Sequence, residues 1–171
     1  MNAEELRTLQ APLKERYKER PAAALITLKA RGRLGEGVTC SVQTGKALVA
    51  AGLHPATGGD GLHACSGDML LEALVACAGV TLRSVATSLE IPVTGTVRAE
   101  GDLDFRGTLG VSDGGAAPVG FVAIRLIFDL DGDATDEQLA TLLRLTERYC
   151  VVYQTLAGGV PVSVLYASDG R

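Results

Sequence analysis

The segment from Ser66 to Leu89 constrains the fold of this chain more than any other part of the sequence. The Ser66 hydroxyl can cap the first turn of a helix, and Pro92 lies just beyond its end. Apolar residues occupy nearly every side of that helix: Met69, Leu70, Leu71, Ala73, Leu74, Val75, Ala76, Ala78, Val80, Leu82 and Val85. A helix with almost no polar stripe is typical of an element that other elements surround. We therefore expect a buried central helix.

Short β-prone segments lie on both sides of this helix. Before it, three segments separated by turn residues predict a meander of strands over Ala24 to Ala30, Gly37 to Thr44 and Lys46 to Ala51. The turns are predicted at residues 31–36 and at Thr44-Gly45. After it, strands are predicted at about 93–105, 119–130 and 160–167, with a loop at 112–118. The second of these alternates an apolar set, Ile124, Leu126, Phe128 and Leu130.

A second helix is predicted to begin at Thr135. Thr135 and Gln138 have the spacing of a capping box, and Gly158-Gly159 marks the end of the helix. One face carries Leu139, Leu142, Leu143, Thr146, Tyr149, Cys150, Tyr153 and Leu156. Because the strands occur in runs between helices, the predicted class is α+β with a mostly antiparallel sheet around the central helix.

The N-terminal residues predict a separate helical arm. Residues 3–20 place Leu6, Leu9, Leu13 and Tyr17 at helical spacing, with a bend or break at Pro12. We expect an arm over 1–22 and a single domain over 23–171. Acidic residues near the start argue against an export signal, and no unbroken apolar run of about 20 residues predicts a membrane helix, so the expected location is the cytoplasm. The net charge of −4 argues against nucleic acid as a partner.

Each of the two long helices carries one cysteine, Cys77 and Cys150. A single helical cysteine is typical of a packed core, but two on neighbouring helices can come within disulfide range. A reactive thiol must be ionised, and an ordinary thiol with a pKa of about 8.5 is mostly protonated at neutral pH. Cys77 lies too far along its helix for that helix's own dipole to act, so we expect a cation instead. Arg31 and Arg33 lie in a predicted hairpin turn, whereas Arg83 lies about 240° around the helix from Cys77 and points away. Arg33 is the preferred candidate, and the alternative is that it is a solvated turn residue.

The other polar candidates indicate packing or loop positions. Cys65 lies beside the Ser66 cap, where a thiol is acidified, or is an ordinary loop cysteine; Cys40 lies in a predicted strand. His54 and His63 flank a glycine-rich loop without the spacing of a metal site, and that loop lacks the Lys-Ser/Thr of a phosphate loop. No metal and no cofactor are expected. Glu72 is an ionic partner or an exposed helical acid.

Three motifs together resemble the OsmC/Ohr family of osmotically inducible and organic hydroperoxide resistance proteins. They are Gly58-Gly59, the segment from Ser66 to Thr81 around Cys77, and Glu147-Arg-Tyr-Cys150-Val-Val-Tyr-Gln-Thr-Leu156. The resemblance runs from about residue 25 to the end. It implies an α+β OsmC-like fold built as an intertwined homodimer, with active sites at the subunit interface.

The resemblance also implies an activity, the thiol-dependent reduction of organic hydroperoxides in oxidative-stress defence. By position, Cys77 is similar to the peroxidatic cysteine, Cys150 to the resolving cysteine, and Arg33 to the arginine that steadies the thiolate. The family's glutamate, ten residues before the first cysteine, is replaced by Gly67, and the nearest carboxylate is Asp68. Val151 stands where the family has proline. A dithiol, such as a lipoyl protein, is the expected reductant.

Two functions therefore stay open at the level of sequence. In the first, Cys77 reduces an organic hydroperoxide and Cys150 closes a disulfide. In the second, Gly67 leaves Cys77 poorly ionised, and the chain is a non-catalytic dimer that binds an apolar ligand or a partner.

Overall fold

The computed structural model describes residues 2–5, 7, 8, 10, 11, 19, 31–34, 39–43, 48–110 and 117–165 of the 171-residue chain, and gives the backbone alone for 31–34 and 39–43. Four strands form one sheet, β1 (Arg31–Leu34), β2 (Thr39–Gln43), β3 (Leu48–Gly52) and β4 (Ala64–Cys65). β1, β2 and β3 are antiparallel neighbours, and β4 pairs parallel to β3. The predicted strands over Gly37 to Thr44 and Lys46 to Ala51 are present as β2 and β3, but residues 31–34, predicted as a turn, are a strand.

The apolar segment is helix α1 (Ser66–Ser88). Its N-cap is Cys65, not Ser66, and the Cys65 side chain makes no capping hydrogen bond. Fully buried positions recur every four residues along one stripe, at Leu74, Ala78, Leu82 and Ala86. The helix is long and apolar enough to cross a membrane by length and composition, with a mean hydropathy of 1.6, contrary to expectation. Because that stripe packs on the sheet and on the second helical region, α1 is the core helix of this fold.

A two-stranded antiparallel sheet covers the buried stripe of α1. It consists of β5 (Thr94–Leu103) and β6 (Phe121–Asp131), with Val97 opposite Phe128 and a bulge at Asp102/Leu103. The predicted inward set of β6 packs on the core. The outer face carries cross-strand ion pairs between Arg125 and the carboxylates of Glu100 and Asp102, which shows that this face is polar. Between the two strands lies a short helix that the sequence analysis missed, α2 (Phe105–Thr108).

The second helical region is two helices instead of one. Helix α3 (Asp136–Tyr149) begins with the predicted capping box, in which the Thr135 hydroxyl accepts a hydrogen bond from the Gln138 N–H at 3.2 Å. The backbone becomes extended at Cys150 (φ −73°, ψ 109°), and helix α4 (Val151–Gly158) follows. The continuous helix predicted through Cys150 was therefore wrong.

The last described residues contradict the final predicted strand. Residues 160–165 form no strand, and their apolar side chains are among the most exposed in the described part of the chain, with Val162 83%, Val164 94% and Leu165 91% exposed. No strand among the described residues pairs with this segment.

The N-terminal positions that the structure describes agree with a helix. Residues 3–5, 7, 8, 10 and 11 are helical, and Asn2 and Glu5 cap the start reciprocally, with backbone-to-side-chain distances of 2.9 Å. The bend at Pro12, the strand over Ala24 to Ala30 and the Thr44-Gly45 turn lie outside the described residues. The arm and domain boundaries, 1–22 and 23–171, stay predictions.

Candidate functional site: a paired thiol at a helix break

The two helical cysteines meet in one apolar cluster. Cys150 is fully buried with Leu74 and Ala78, and the half-buried Cys77 packs against them. Both cysteines are free, and each shifts the pKa of the other. The fold therefore brings together two sulfurs that are 73 positions apart in the sequence.

The break at Cys150 gives this pair its particular surroundings. Cys150 N–H closes the last turn of α3 on the Thr146 carbonyl at 2.9 Å, and Gln154 N–H begins the hydrogen bonds of α4 on the Cys150 carbonyl at 2.9 Å. The first N–H groups of any helix have no partner within it. In α4, the N–H groups of Val151 and Val152 are directed at the Cys77 sulfur. A helix N-terminus favours negative charge, so the thiolate of Cys77 is stabilised by a helix other than its own.

Several opposing effects set the acidity of Cys77. Burial raises the pKa of its thiol, but the backbone N–H groups of Val152 and Val151, the Cys150 thiol and the Thr81 hydroxyl all lower it. The donors prevail, and the pKa of Cys77 lies below its ordinary value. Thr81 is four residues after Cys77 on α1, which places the hydroxyl one turn away on the same face.

Cys150 is shifted in the opposite direction. Burial raises the pKa of its thiol, and the neighbouring charge of Cys77 raises it further, while the N–H groups of Tyr153 and Val152 only partly offset this. The pair thus divides into an acidic thiol and a thiol that keeps its proton. Two titratable groups whose pKa values are pushed apart in this way are suited to different chemical roles.

The two remaining predicted site residues do not join this cluster among the described side chains. Asp68 is exposed in the first turn of α1, which is regular from Ser66 onward. Nine residues of regular helix place it about 180° around and about 13 Å along the axis from Cys77. Arg33 lies in β1, paired with Ser41, and its side chain is outside the described residues. The roles of both stay predictions. Arg83 is held elsewhere, since its Nη1 donates to the Val93 carbonyl at 2.6 Å.

The other candidate residues lie apart from the thiol pair. Cys65 lines a second cavity of about 400 Å³ together with His54, and His54 Nδ1 accepts a hydrogen bond from the Ala56 N–H and stacks on Phe105 with ring centroids 4.8 Å apart. Glu72 is exposed. The Cys40 side chain is outside the described residues. Within the described ranges, no group of three or more His, Cys, Asp or Glu side chains could hold a metal ion.

An apolar cavity of about 350 Å³ adjoins the thiol cluster. Four of its lining residues, Leu74, Ile124, Leu126 and Tyr153, also belong to that cluster. The rest of the wall comes from the start of β6 and the end of α4: Phe121, Val122, Ala123, Leu156 and Ala157. The cavity therefore suits an aliphatic group rather than a charged one.

Sequence reasoning missed two contributors to the site, the Thr81 hydroxyl and the backbone N–H groups of Val151 and Val152. Thr81 carried a signal, a hydroxyl four residues after a cysteine on the same helix face. Val151 carried another, since it stands where the resemblance expects proline, a residue common at the first position of a helix.

Comparison with known proteins agrees with this geometry. The family model for OsmC-like proteins matches residues 58–165, more than half of the chain. The chain therefore belongs to the OsmC-like family of α+β proteins. Comparison with curated proteins gives no match.

Solved structures with this fold include both OsmC-like and hydroperoxide resistance proteins. An OsmC-like protein from Mycoplasma pneumoniae is 15% identical with a TM-score of 0.62, covering 78% of this chain and 89% of its own. An organic hydroperoxide resistance protein OsmC from Legionella pneumophila is 18% identical with a TM-score of 0.61, covering 79% and 92%. The organic hydroperoxide resistance protein OhrB of Bacillus subtilis is 19% identical with a TM-score of 0.53, covering 80% and 94%. At these identities the likeness shows the fold alone.

Proposed function

We propose that this protein reduces organic hydroperoxides through a dithiol cycle of Cys77 and Cys150. The observation that carries the proposal is the contact between two thiols whose pKa values are shifted in opposite directions. An acidic thiol is the nucleophile that peroxide reduction needs. Oxidation of Cys77 to a sulfenic acid removes the negative charge that raises the pKa of Cys150, so Cys150 can then lose its proton and attack as a thiolate.

In the first step, the Cys77 thiolate attacks the distal oxygen of the hydroperoxide and the O–O bond breaks. The distal oxygen stays on sulfur, so Cys77 becomes a sulfenic acid, and the alkoxide that leaves takes up a proton to give an alcohol. In the second step, the Cys150 sulfur attacks the Cys77 sulfur, water leaves, and a disulfide forms. A cellular dithiol then reduces the disulfide, becomes oxidised itself, and restores both thiols; a lipoyl-type dithiol is the class that we propose.

The apolar cavity beside the cluster supports an organic substrate. A hydrocarbon group gains by leaving water for the wall of Leu74, Ile124 and Leu126, whereas hydrogen peroxide has no such group. We propose that Arg33 further stabilises the thiolate and that Asp68 acts through Arg33.

A stoichiometric titration tests the proposal. One equivalent of cumene hydroperoxide added to reduced protein is expected to consume two thiols, and peptide mapping is expected to find the bridge between Cys77 and Cys150. Cys150→Ser should instead trap a sulfenic acid on Cys77 that dimedone labels, and Cys77→Ser should consume no peroxide. Cys65→Ser is the matched control and should behave as the parent does. An unchanged thiol count in the parent protein contradicts the proposal.

The alternative, a non-catalytic dimer that binds an apolar ligand, is favoured by the same cavity. It requires Cys77 to be an ordinary thiol. The rate of iodoacetamide reaction at pH 6 separates the two, because an acidic Cys77 reacts faster than the same cysteine in denatured protein. Equal rates support the binding role.

We also propose that the functional unit is a homodimer. One flank of α1 is exposed although apolar, with Val80 72% and Leu70 37% exposed, and the tail over residues 160–165 pairs with no strand among the described residues. A second copy that covers both would complete the burial of the central helix. Size-exclusion chromatography with light scattering is expected to give twice the chain mass of 17.7 kDa, and a monomeric mass at micromolar concentration contradicts this.

A further inference from the structure

One hydrogen bond crosses the break between α3 and α4. The Gln154 side chain folds back from the first turn of α4, and its Nε2 donates to the Glu147 carbonyl at 2.8 Å. That carbonyl belongs to the last turn of α3, where a break leaves oxygens without a helical partner. The bond therefore joins the end of one helix to the start of the next.

The position of this bond bears on the direction of α4. The extended residue Cys150 joins the two helices. Among the described residues, the backbone of Cys150 makes two hydrogen bonds: its N–H donates to the Thr146 carbonyl, and its carbonyl accepts from the Gln154 N–H. Each of those bonds continues one helix and does not join α4 to α3 beyond the joint. Val152 and Tyr153 pack α4 against the thiol cluster. The Gln154 bond is different in kind, since it connects α4 directly to a carbonyl three residues before the joint.

The angle between α3 and α4 affects the acidity of Cys77, because the N-terminus of α4 points at the Cys77 sulfur. The N–H groups of Val151 and Val152 contact the Cys77 sulfur only while α4 keeps its direction. Hydrogen bonds weaken steeply as the donor turns away from the acceptor. A small rotation of α4 at Cys150 would remove these donors without breaking its own helical hydrogen bonds.

We propose that Gln154 is a positioning residue that fixes the N-terminus of α4 on the Cys77 sulfur by bridging the helix break. It does not touch the reacting sulfur. The inference depends on the proposed function only for its effect on peroxide turnover, since its direct consequence is the acidity of the Cys77 thiol.

Substitution of Gln154 should change the acidity of the Cys77 thiol and not the stability of the fold. Gln154 is exposed, so that water can satisfy the Glu147 carbonyl once the side chain is gone. Loss of the bond should therefore leave the melting temperature nearly unchanged while it shifts the pH dependence of the thiol. In the described residues, the titratable side chain in contact with Cys77 is that of Cys150, which remains in every variant.

The test compares three variants with the parent by the rate of iodoacetamide reaction at Cys77 against pH, read by peptide mass. Gln154→Leu removes the donor at similar size, and Gln154→Asn keeps a polar amide that is too short to reach Glu147. Both are expected to move the alkylation midpoint upward by about half a pH unit, which is about a threefold lower rate at pH 6.5. Thr155→Leu, at the next exposed position of the same helix, controls for the added apolar side chain and should leave the midpoint unchanged.

Unchanged midpoints in folded Gln154→Leu and Gln154→Asn overturn the inference, and equal shifts in the Thr155→Leu control overturn it as well. If Gln154→Leu does not fold, Gln154→Asn alone decides. The proposed function fails separately: a parent protein that consumes no cumene hydroperoxide, while the Gln154 variants still shift the midpoint, refutes the peroxidase and leaves the positioning role intact. If the parent protein consumes peroxide but the Gln154 variants keep the parent's alkylation midpoint, the positioning role is refuted and the proposed function stands.

Discussion

The N–H group of Val151 can be removed with little other change to the protein. Val151 is the first residue of α4, its side chain is 70% exposed, and its N–H makes no helical hydrogen bond. Proline is well tolerated at the first position of a helix. The preceding residue, Cys150, has an extended backbone with ψ 109°, close to the conformation that a following proline favours. Val151→Pro should therefore fold as the parent does.

The expected effect is on the Cys77 thiol. A hydrogen bond to a charged group contributes about 1.5–3 kcal/mol, and the lower end applies because Cys77 is only half buried and water can replace part of the bond. Since 1.36 kcal/mol corresponds to one pKa unit, the pKa of Cys77 should rise by about one unit, with about tenfold less thiolate at a pH below both values. Stability should change by less than about 1 kcal/mol.

The assay is the pH dependence of iodoacetamide reaction at Cys77, read by peptide mass in the reduced protein. Val151→Ala is the matched control, since it shortens the same exposed side chain but keeps the N–H group, and its midpoint should equal that of the parent. A folded Val151→Pro protein whose midpoint lies within about 0.2 pH units of the parent refutes the reasoning that α4 acidifies Cys77.

Three further predictions follow from described contacts. Thr81→Val should raise the pKa of Cys77 and slow its alkylation at pH 6.5 about threefold, whereas Thr81→Ser should not; equal rates in both would remove the hydroxyl from the site. Because the pKa of Cys77 is lowered in the folded state, the unfolded chain binds more protons in the range just below about pH 8.5. In urea unfolding of the reduced protein, the free energy of unfolding relative to Cys77→Ser should therefore rise with pH in that range, and this gain should be lost as pH falls through the folded pKa. Parallel pH profiles of the two proteins would contradict this. Glu90→Gly should raise the free energy of unfolding by about 0.5–1 kcal/mol, because Glu90, just after the C-cap of α1, has a φ of 57°, where glycine is unstrained. The exposed 3.8 Å ion pair between Glu90 and Arg7 contributes little to stability. A lower melting temperature in the variant would show that this ion pair contributes more.

Much of the fold was predictable because it depends on local patterns. Alternation along residues 119–130 identified β6 and its buried face, and the Thr135 capping box fixed the start of α3 within one residue. The short elements β4 and α2 lack such patterns, since two and four residues are too few for a period to be visible. The tail shows the opposite case, where a clear strand pattern has no partner strand in the part of the chain that the structure describes.

The site was predictable in part, for a different reason. The pairing of Cys77 and Cys150 followed from the resemblance, but the break at Cys150 did not. Helical spacing continues through Cys150 to Leu156, so nothing local ends the helix there. The N–H groups freed by the break contact a sulfur 73 positions earlier in the chain, and only tertiary structure places an acceptor opposite them.

The exposed valines of the C-terminal tail have a consequence for the isolated chain. Short β-prone segments without charge are the kind of sequence that stacks into cross-β aggregates when nothing covers it. Pro161 lies within this segment and cannot donate to a strand ladder, so it interrupts such stacking. Pro161 therefore weakens the tendency of this exposed segment to aggregate in an isolated chain.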